Sequence, residues 1–188
     1  MNNIKKVSSY LIYVFNFLLV AIPALLIAQW VLIDWHPFKE LIAKGMFFNL
    51  ITSPQGYINL ADVKFTFLTR ILGFIGCVID ELPTILSIVI FKLLFQNYKK
   101  GNIFSLENAK KYNQIGWLCF VNGLITAPLA GMFMVAAATL SNPPGQRYIS
   151  VSFGTVNLES LFYGILIIVI SWVMVEGYKL QEDSQYTI

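Results

Sequence analysis

The sequence predicts an all-α fold: a polytopic membrane protein with four transmembrane helices and an outer interfacial helix between the first two spans. The first observation is composition, because 57% of the 188 residues are hydrophobic, only 12% are charged and the mean hydropathy is +0.68. Soluble domains are about 45–50% apolar and about 25% charged. The second observation is four apolar stretches close to the roughly 20 residues that cross a bilayer as a helix. Together they exclude a secreted disulfide scaffold, a disordered chain, a coiled coil and most soluble enzymes.

The predicted spans cover residues 10–33, 71–96, 115–140 and 158–176. The first and third spans contain no Asp, Glu, Lys or Arg. Because the first apolar run exceeds the about 7–15 residues of a signal-peptide core, we expect a helix that is retained rather than cleaved.

The connections assign an orientation to these spans. Seven lysines fall on one side of the predicted layout: Lys5, Lys6, Lys99, Lys100, Lys110, Lys111 and Lys179. Five basic residues fall on the other side, most of them in a longer connection: Lys39, Lys44, Lys64, Arg70 and Arg147. Since short cytoplasmic loops carry the excess of Lys and Arg, we expect both termini to be cytoplasmic. Residues 34–69 then form an extracytoplasmic loop, residues 97–114 a cytoplasmic helical hairpin connection and residues 177–188 a cytoplasmic tail.

The loop of residues 34–69 is too long for a simple turn between helices. Pro37 suits the first turn of a helix, and apolar residues follow it at helical spacing: Phe38, Leu41, Ile42, Met46 and Leu50. This pattern favours a helix lying in the membrane interface. The alternative is a lid packed on the ends of the spans. In the second outer loop, residues 149–153 alternate as a short strand does, and such a strand could pair with the first outer loop.

The connection between spans two and three contains local signals for a tight helical hairpin. Gly101 is typical of a left-handed helix stop, Ser105 is a favourable N-cap, and Phe104 precedes that cap where a hydrophobic staple begins. The connection is either a turn alone or a docking surface for a cytoplasmic partner or anionic lipid headgroups. The predicted partner-binding residues of this face are Lys99, Lys100, Phe104, Glu107, Asn108, Lys110, Lys111, Glu176 and Lys179.

Residues 101–108 (GNIFSLEN), 115–117 (IGW), 176–182 and 186–188 resemble the bacterial membrane proteins grouped as domain of unknown function 2975. The four-span layout agrees with that family. The resemblance implies no established activity. Its members are often paired with a small helix-turn-helix DNA-binding protein, so the resemblance implies such a regulator as partner and the bacterial cytoplasmic (inner) membrane as location.

Asp80 and Glu81 interrupt the second span. Carboxylates inside a span are costly and by default indicate function, and Thr84 lies one helical turn after Asp80, on the same face. These three residues are the predicted ion or proton site. The alternative is that Asp80, Glu81 and Pro83 begin a helix at the outer surface, or that Arg70 or Lys64 forms a structural ion pair with a carboxylate.

Small residues recur every four positions in the third span, at Gly123, Ala127 and Gly131. Such a stripe allows helices to approach closely, so it predicts a packing seam. Cys77 and Cys119 are interpreted as small buried hydrophobic residues. With a single histidine and no paired cysteines, we predict no metal site, and we predict no cofactor and no catalytic residue because enzyme motifs are absent.

The function expected from the sequence is that of a small non-enzymatic membrane protein. It would act as a membrane-bound sensor or as a sequestering partner of a cytoplasmic regulator, without binding nucleic acid directly. The alternative is a small transporter or channel subunit that uses Asp80 and Glu81, for which a homodimer would be better suited. A third alternative is a structural subunit of a larger complex.

Overall fold

A computed structural model describes residues 2–48, 51–53, 56–149 and 158–186. The helices are α1 (Asn2–Val31), α2 (His36–Ala43), α3 (Phe67–Lys100), α4 (Leu106–Val121), α5 (Ala127–Thr139) and α6 (Leu158–Tyr186). Shorter elements are β1 (Ile51–Ser53), β2 (Gly56–Ile58), a 3₁₀ turn (Leu60–Asp62) and a π-helical segment (Asn122–Thr126) that joins α4 to α5. The predicted all-α class is confirmed.

Four helical stretches are long and apolar enough to cross a membrane: Asn3–Val31, Phe67–Lys100, Leu106–Thr139 and Leu158–Ser184. This confirms the prediction of a membrane protein with four transmembrane helices. The helices are longer than the predicted spans. At 1.5 Å per residue, the 34 residues of α3 extend for about 51 Å, well beyond a hydrocarbon core of about 30 Å.

The chain divides into two compact units, which we name by their connections. The hairpin unit comprises Met1–Ile22, Pro83–Gly123 and Asn157–Ile188, and the loop unit comprises Pro23–Leu82 and Leu124–Val156. The unit boundaries fall at Pro23 inside α1, at Pro83 inside α3 and within the π-helical segment. Each of these positions interrupts the regular hydrogen-bond ladder of its helix, because proline has no N–H and a π turn has a different bonding pattern.

In the hairpin unit, α4 and α6 approach each other at two glycines. A Cβ atom on Gly116 would lie 2.5 Å from Ile168 Cγ1 and 3.0 Å from the Gly164 carbonyl oxygen. Reciprocally, a Cβ atom on Gly164 would lie 3.0 Å from the Gly116 carbonyl oxygen. Only glycine fits at both positions without displacing a neighbour, so this pair sets the distance between the two helices.

The core of the loop unit is built around Trp30. The buried members of this cluster are Trp30, Ile33, Phe38, Ile42, Leu60, Val63 and Ala138. The Trp30 indole N–H donates to Cys77 Sγ at 3.3 Å, and a Cβ atom on Gly73 would lie 1.9 Å from the Trp30 ring. Gly73 is therefore the position on α3 that admits the indole.

The helix predicted between the first two spans is present as α2. Its Phe38 and Ile42 side chains are buried in the Trp30 cluster, so the helix covers the ends of α1 and α3 as a lid does. The helix ends at Ala43, before the last two predicted apolar positions, Met46 and Leu50. Leu50 lies outside the described residues. Met46 follows the left-handed Gly45 (φ 77°) and is half exposed.

The strand pairing lies within the first long connection and not between the two loops. β1 and β2 pair antiparallel, with Ile51 opposite Ile58. Ile149 is in no strand, and residues 150–153 of the predicted second strand lie outside the described residues. The expected pairing between loops is therefore not found in the part of the chain that the structure describes.

The predicted small-residue seam on the third span is wrong at Gly131. A Cβ atom there would meet nothing within 4 Å, whereas a Cβ atom on Gly76 of α3 would lie 3.2 Å from the Ala130 carbonyl oxygen. Gly123 is buried, and Ala127 is half buried. The π-helical segment explains the error, because a turn with more residues rotates a strict four-residue repeat away from a single face.

A matched pair of glycine substitutions tests this packing. We expect Gly116→Ala to lower the free energy of unfolding by about 1–3 kcal/mol, because the added methyl group overpacks the α4–α6 contact. We expect Gly131→Ala to be neutral or stabilising, because the methyl group enters open space in a helix. Thermal unfolding of both variants in the same detergent measures the difference. Equal melting temperatures for the two variants would contradict the assigned packing.

Candidate functional site

The turn between α3 and α4 ends the first helix in a regular way. Gly101 has φ 94°, its N–H donates to the Tyr98 carbonyl at 3.0 Å, and the Asn102 N–H donates to the Asn97 carbonyl at 3.0 Å. This is the hydrogen-bond pattern of the Schellman motif, which satisfies carbonyls at the end of a helix. The predicted helix stop at Gly101 is confirmed.

The start of α4 is held by a buried asparagine. Ser105 Oγ accepts the Asn108 N–H at 3.2 Å, which confirms the predicted N-cap. The Asn108 amide nitrogen donates to the carbonyls of Asn102 (2.7 Å) and Ile103 (2.9 Å), and its oxygen accepts from Asn97 Nδ2 at 2.8 Å. Asn108 is 0% exposed. The predicted role in partner contact therefore does not fit Asn108. Its buried side chain instead holds the turn by hydrogen bonds to the turn's own residues.

Two further contacts fasten the hairpin to its neighbours. The Tyr98 and Tyr112 hydroxyl oxygens lie 2.9 Å apart and join α3 to α4. A Cβ atom on Gly177 would lie 2.8 Å from Phe104 Cδ1, so the Phe104 ring rests on the backbone of α6. The predicted partner-binding residues include Phe104 but not Gly177. The two predicted partner-binding segments, the hairpin and the end of α6, are thus brought together in one unit.

The exposed residues around this contact form a surface that we name the hairpin platform. Its members are Lys99, Lys100, Phe104, Leu106, Glu107, Lys110, Glu176, Lys179 and Leu180. Leu106 is 45% and Leu180 70% exposed, and neither is among the predicted partner-binding residues, because charge and capping patterns do not mark them. Lys111 is mostly buried and pairs with Glu107, while Lys179 Nζ lies 2.7 Å from Glu176 Oε1. The exposed Lys99, Lys100 and Lys110 form no ion pair with any described residue.

The carboxylates of the second span lie inside a continuous helix. α3 runs unbroken from Phe67 to Lys100, so the alternative in which Asp80, Glu81 and Pro83 begin a helix is wrong. Asp80 and Thr84 are exposed side chains of this helix, and Glu81 is half buried. Asp80 lies ten residues after Arg70 and twelve before Lys92, near the middle of the apolar length.

No cation pairs with these carboxylates among the residues that the structure describes. Arg70, one of the two expected partners, instead forms an ion pair with Asp34, whose other oxygen lies 3.2 Å from Lys39 Nζ. Lys64, the other expected partner, is exposed in the loop unit without an ion pair to a described residue. The predicted structural ion pair is therefore not formed. A carboxylate at the centre of a span costs about 2.5–3.5 kcal/mol on insertion scales, so Asp80 and Glu81 remain unusual residues.

Within the described ranges, no group of three or more His, Cys, Asp or Glu side chains could hold a metal ion. Cys77 and Cys119 are free and half buried in different units.

These elements define a membrane protein with four transmembrane helices and a structured helical hairpin between the second and third. A family model described as "Protein of unknown function (DUF2975)" matches residues 57–188, and the chain belongs to this family. The match contains the hairpin platform and both carboxylates. No curated protein and no solved structure matches the chain.

Substitutions of two asparagines in the same hairpin test whether the Asn108 side chain holds the turn. We expect Asn108→Ala to lower the free energy of unfolding by about 1–3 kcal/mol, because it leaves two partly buried carbonyls of the turn without their donor. Asn102→Ala removes an exposed side chain and keeps the backbone carbonyl, so it should change stability little. Hydrogen exchange over residues 97–112 should increase in the first variant alone. Similar exchange in both variants would show that Asn108 does not hold the turn.

Proposed function

We propose that this protein is a small non-enzymatic membrane protein whose hairpin platform binds a cytoplasmic regulator. It would act as a membrane-bound sensor or as a sequestering partner. The observation that carries the proposal is the construction of the platform. Its turn is fixed from within by Asn108 and Gly101, while Phe104 and Leu106 stay about half exposed beside lysines. A surface that is fixed before binding loses little conformational entropy when a partner binds.

The composition of the platform suits a protein partner. Protein interfaces combine an apolar centre with a polar rim. Phe104, Leu106 and Leu180 supply apolar side chains, and Lys99, Lys100 and Lys110 supply positive charge around them. This arrangement favours a partner with an apolar patch bordered by acidic residues. A small helix-turn-helix regulator, the partner that the family resemblance implies, is the proposed occupant.

The helix lengths support a platform that projects from the membrane. The eleven residues from Glu176 to Tyr186 continue α6 for about 16 Å after its apolar stretch. The nine residues from Leu106 to Gln114 extend α4 for about 13 Å before its apolar stretch begins. Both helices present polar side chains over these lengths, which suits an aqueous face.

The proposed orientation places the platform in the cytoplasm. The basis is the concentration of lysines in the short connection between α3 and α4. With four spans, both termini lie on the same side as this connection. We propose the bacterial cytoplasmic membrane as location, with both termini inside.

Site-specific crosslinking tests the proposal in cells. A photoreactive residue replaces Leu106, which is exposed on the platform, and the combined substitutions Lys99→Gln, Lys100→Gln and Lys110→Gln are added. We expect a crosslinked DNA-binding regulator whose yield falls at least about threefold in the combined variant, since each of the three exposed charge contacts contributes roughly 0.2–1 kcal/mol.

The matched control is Lys44→Gln, which removes an exposed lysine from the loop unit and should leave the yield unchanged. Protease protection checks that all variants keep the wild-type orientation. Equal yields from the combined variant and the control, or crosslinks to lipid alone, would refute regulator binding by the platform.

A second candidate function is that of a small transporter or channel subunit. The observation that favours it is the position of Asp80 and Glu81 near the middle of α3, without an ion-pair partner among the described residues. Because four helices barely enclose a path, this function would require a homodimer.

Flux measurements separate this second candidate from the first. In proteoliposomes that contain the wild-type chain, we expect proton or monovalent-cation flux only if the carboxylates serve transport. Asp80→Asn should then abolish the flux without loss of folded protein, because the amide carries no charge. The control Glu159→Gln alters an exposed acid at the start of α6 and should preserve flux. Absence of wild-type flux would rule out the transport function.

A further inference from the structure

The loop unit contains a cavity that the proposed function does not use. Its volume is about 570 Å³, and its lining includes Tyr57, Asp62, Lys64, Thr139 and Tyr148. Pockets that bind small ligands typically measure about 300–1000 Å³ and contain a few polar groups that orient the ligand. The size of this cavity therefore lies in the range of ligand sites, and its largely polar lining suits a polar ligand.

One wall of the cavity is the 3₁₀ turn and the residues after it. Asn59 caps this turn by accepting the Ala61 N–H at 3.0 Å, and Leu60 and Val63 anchor it in the Trp30 cluster. Leu60 is 1% exposed and Val63 is 9% exposed. The wall is thus fixed by its own buried residues before any ligand arrives.

This wall presents two opposite charges to the cavity. Val63 has an extended backbone (φ −80°, ψ 134°), and in extended chains the residues on either side of a position project to the opposite face. Asp62 and Lys64, on either side of the buried Val63, both line the cavity, and both are exposed. Neither side chain forms an ion pair, with the other or with any residue in the described ranges.

The opposite wall follows the end of α5. Thr139 is 1% exposed, and its hydroxyl oxygen accepts the Tyr148 N–H at 3.1 Å. The same hydroxyl lies 3.0 Å from the Tyr148 carbonyl oxygen, so the segment that carries Tyr148 is fastened to α5. Tyr148 on this wall and Tyr57 on β2 add aromatic surface to the lining.

We propose that this cavity binds a zwitterionic ligand the size of a short peptide. Asp62 receives the ammonium group, Lys64 receives the carboxylate, and the tyrosines contact the atoms between them. A purely anionic ligand would be repelled by Asp62, and a purely cationic one by Lys64, so a ligand with both charges is the complementary one.

The separation of the two backbone positions that carry the charges is similar to the length of a dipeptide. Positions 62 and 64 are two extended residues apart, which corresponds to about 6.6 Å between their Cα atoms. An extended dipeptide also measures about 6.6 Å from end to end by the same rise per residue. The termini of a dipeptide therefore match the separation of the two backbone positions that carry Asp62 and Lys64.

Calorimetric titration of the purified full-length chain in nanodiscs tests the proposal with three probes. These are L-alanyl-L-alanine, its N-acetyl derivative, which lacks the ammonium group, and its C-terminal amide, which lacks the carboxylate. We expect the free dipeptide to bind at least about tenfold more tightly than either derivative, because each derivative loses a hydrogen bond between charged groups, which is stronger than a bare surface charge contact. Absence of saturable binding by the free dipeptide, or equal affinity for all three probes, would overturn the proposal.

Two substitutions test which charged group of the ligand each side chain binds. Asp62→Asn should remove the preference for the free dipeptide over the N-acetyl derivative and keep its preference over the amide. Lys64→Gln should remove the preference for the free dipeptide over the amide and keep its preference over the N-acetyl derivative. The control Lys44→Gln removes an exposed lysine that does not line the cavity and should keep both preferences. Unchanged preferences in Asp62→Asn and Lys64→Gln, with melting temperatures like that of the wild type, would place binding elsewhere. The assay contains no cytoplasmic regulator, so its outcome is independent of partner binding by the hairpin platform.

Discussion

Backbone N–H and C=O groups in a bilayer have no water to bind, so each must find a partner within its own segment. The rest of the structure depends on this constraint. It explains why four helices of 27 to 34 residues account for the apolar part of the chain. Since lipid is as apolar as leucine, shape rather than hydrophobicity then decides which helices touch. Gly73 leaves room for the Trp30 indole ring, and Gly116 lies against Gly164. Both contacts are possible because glycine has no side chain.

Backbone groups at the ends of helices also need partners where the protein itself buries them, and polar side chains supply those partners. In the hairpin unit, Asn108 donates to two carbonyls of the turn and is completely buried. In the loop unit, Asn59 and Thr139 bond to backbone groups of the connecting segments. These residues hold the segments that present the hairpin platform and the cavity, so each proposed surface has a fixed shape that depends on buried hydrogen bonds.

Charge is distributed unevenly along the chain, and this unevenness underlies both candidate functions. Lysines lie beside the apolar hairpin side chains, where they favour an acidic partner. Asp80 and Glu81 instead lie within the apolar length of α3. Arg70 is not available to them because Asp34 already holds it. The lysines are therefore the basis of the proposed partner binding, and the carboxylates are the basis of the proposed ion transport.

The sequence by itself determined the class, the four spans, the helix stop at Gly101 and the N-cap at Ser105. Each of these depends on hydropathy or on hydrogen bonds between residues a few positions apart, which the order of residues records directly. The tertiary structure decided which side chains are buried or paired. Asn108 is internal, Gly131 faces open space, and Arg70 pairs with an aspartate 36 residues away. The cavity likewise combines Asp62 and Lys64 with Thr139 and Tyr148. Such contacts join segments that are distant in the chain, so no local pattern encodes them, and only the packing of helices brings their members together.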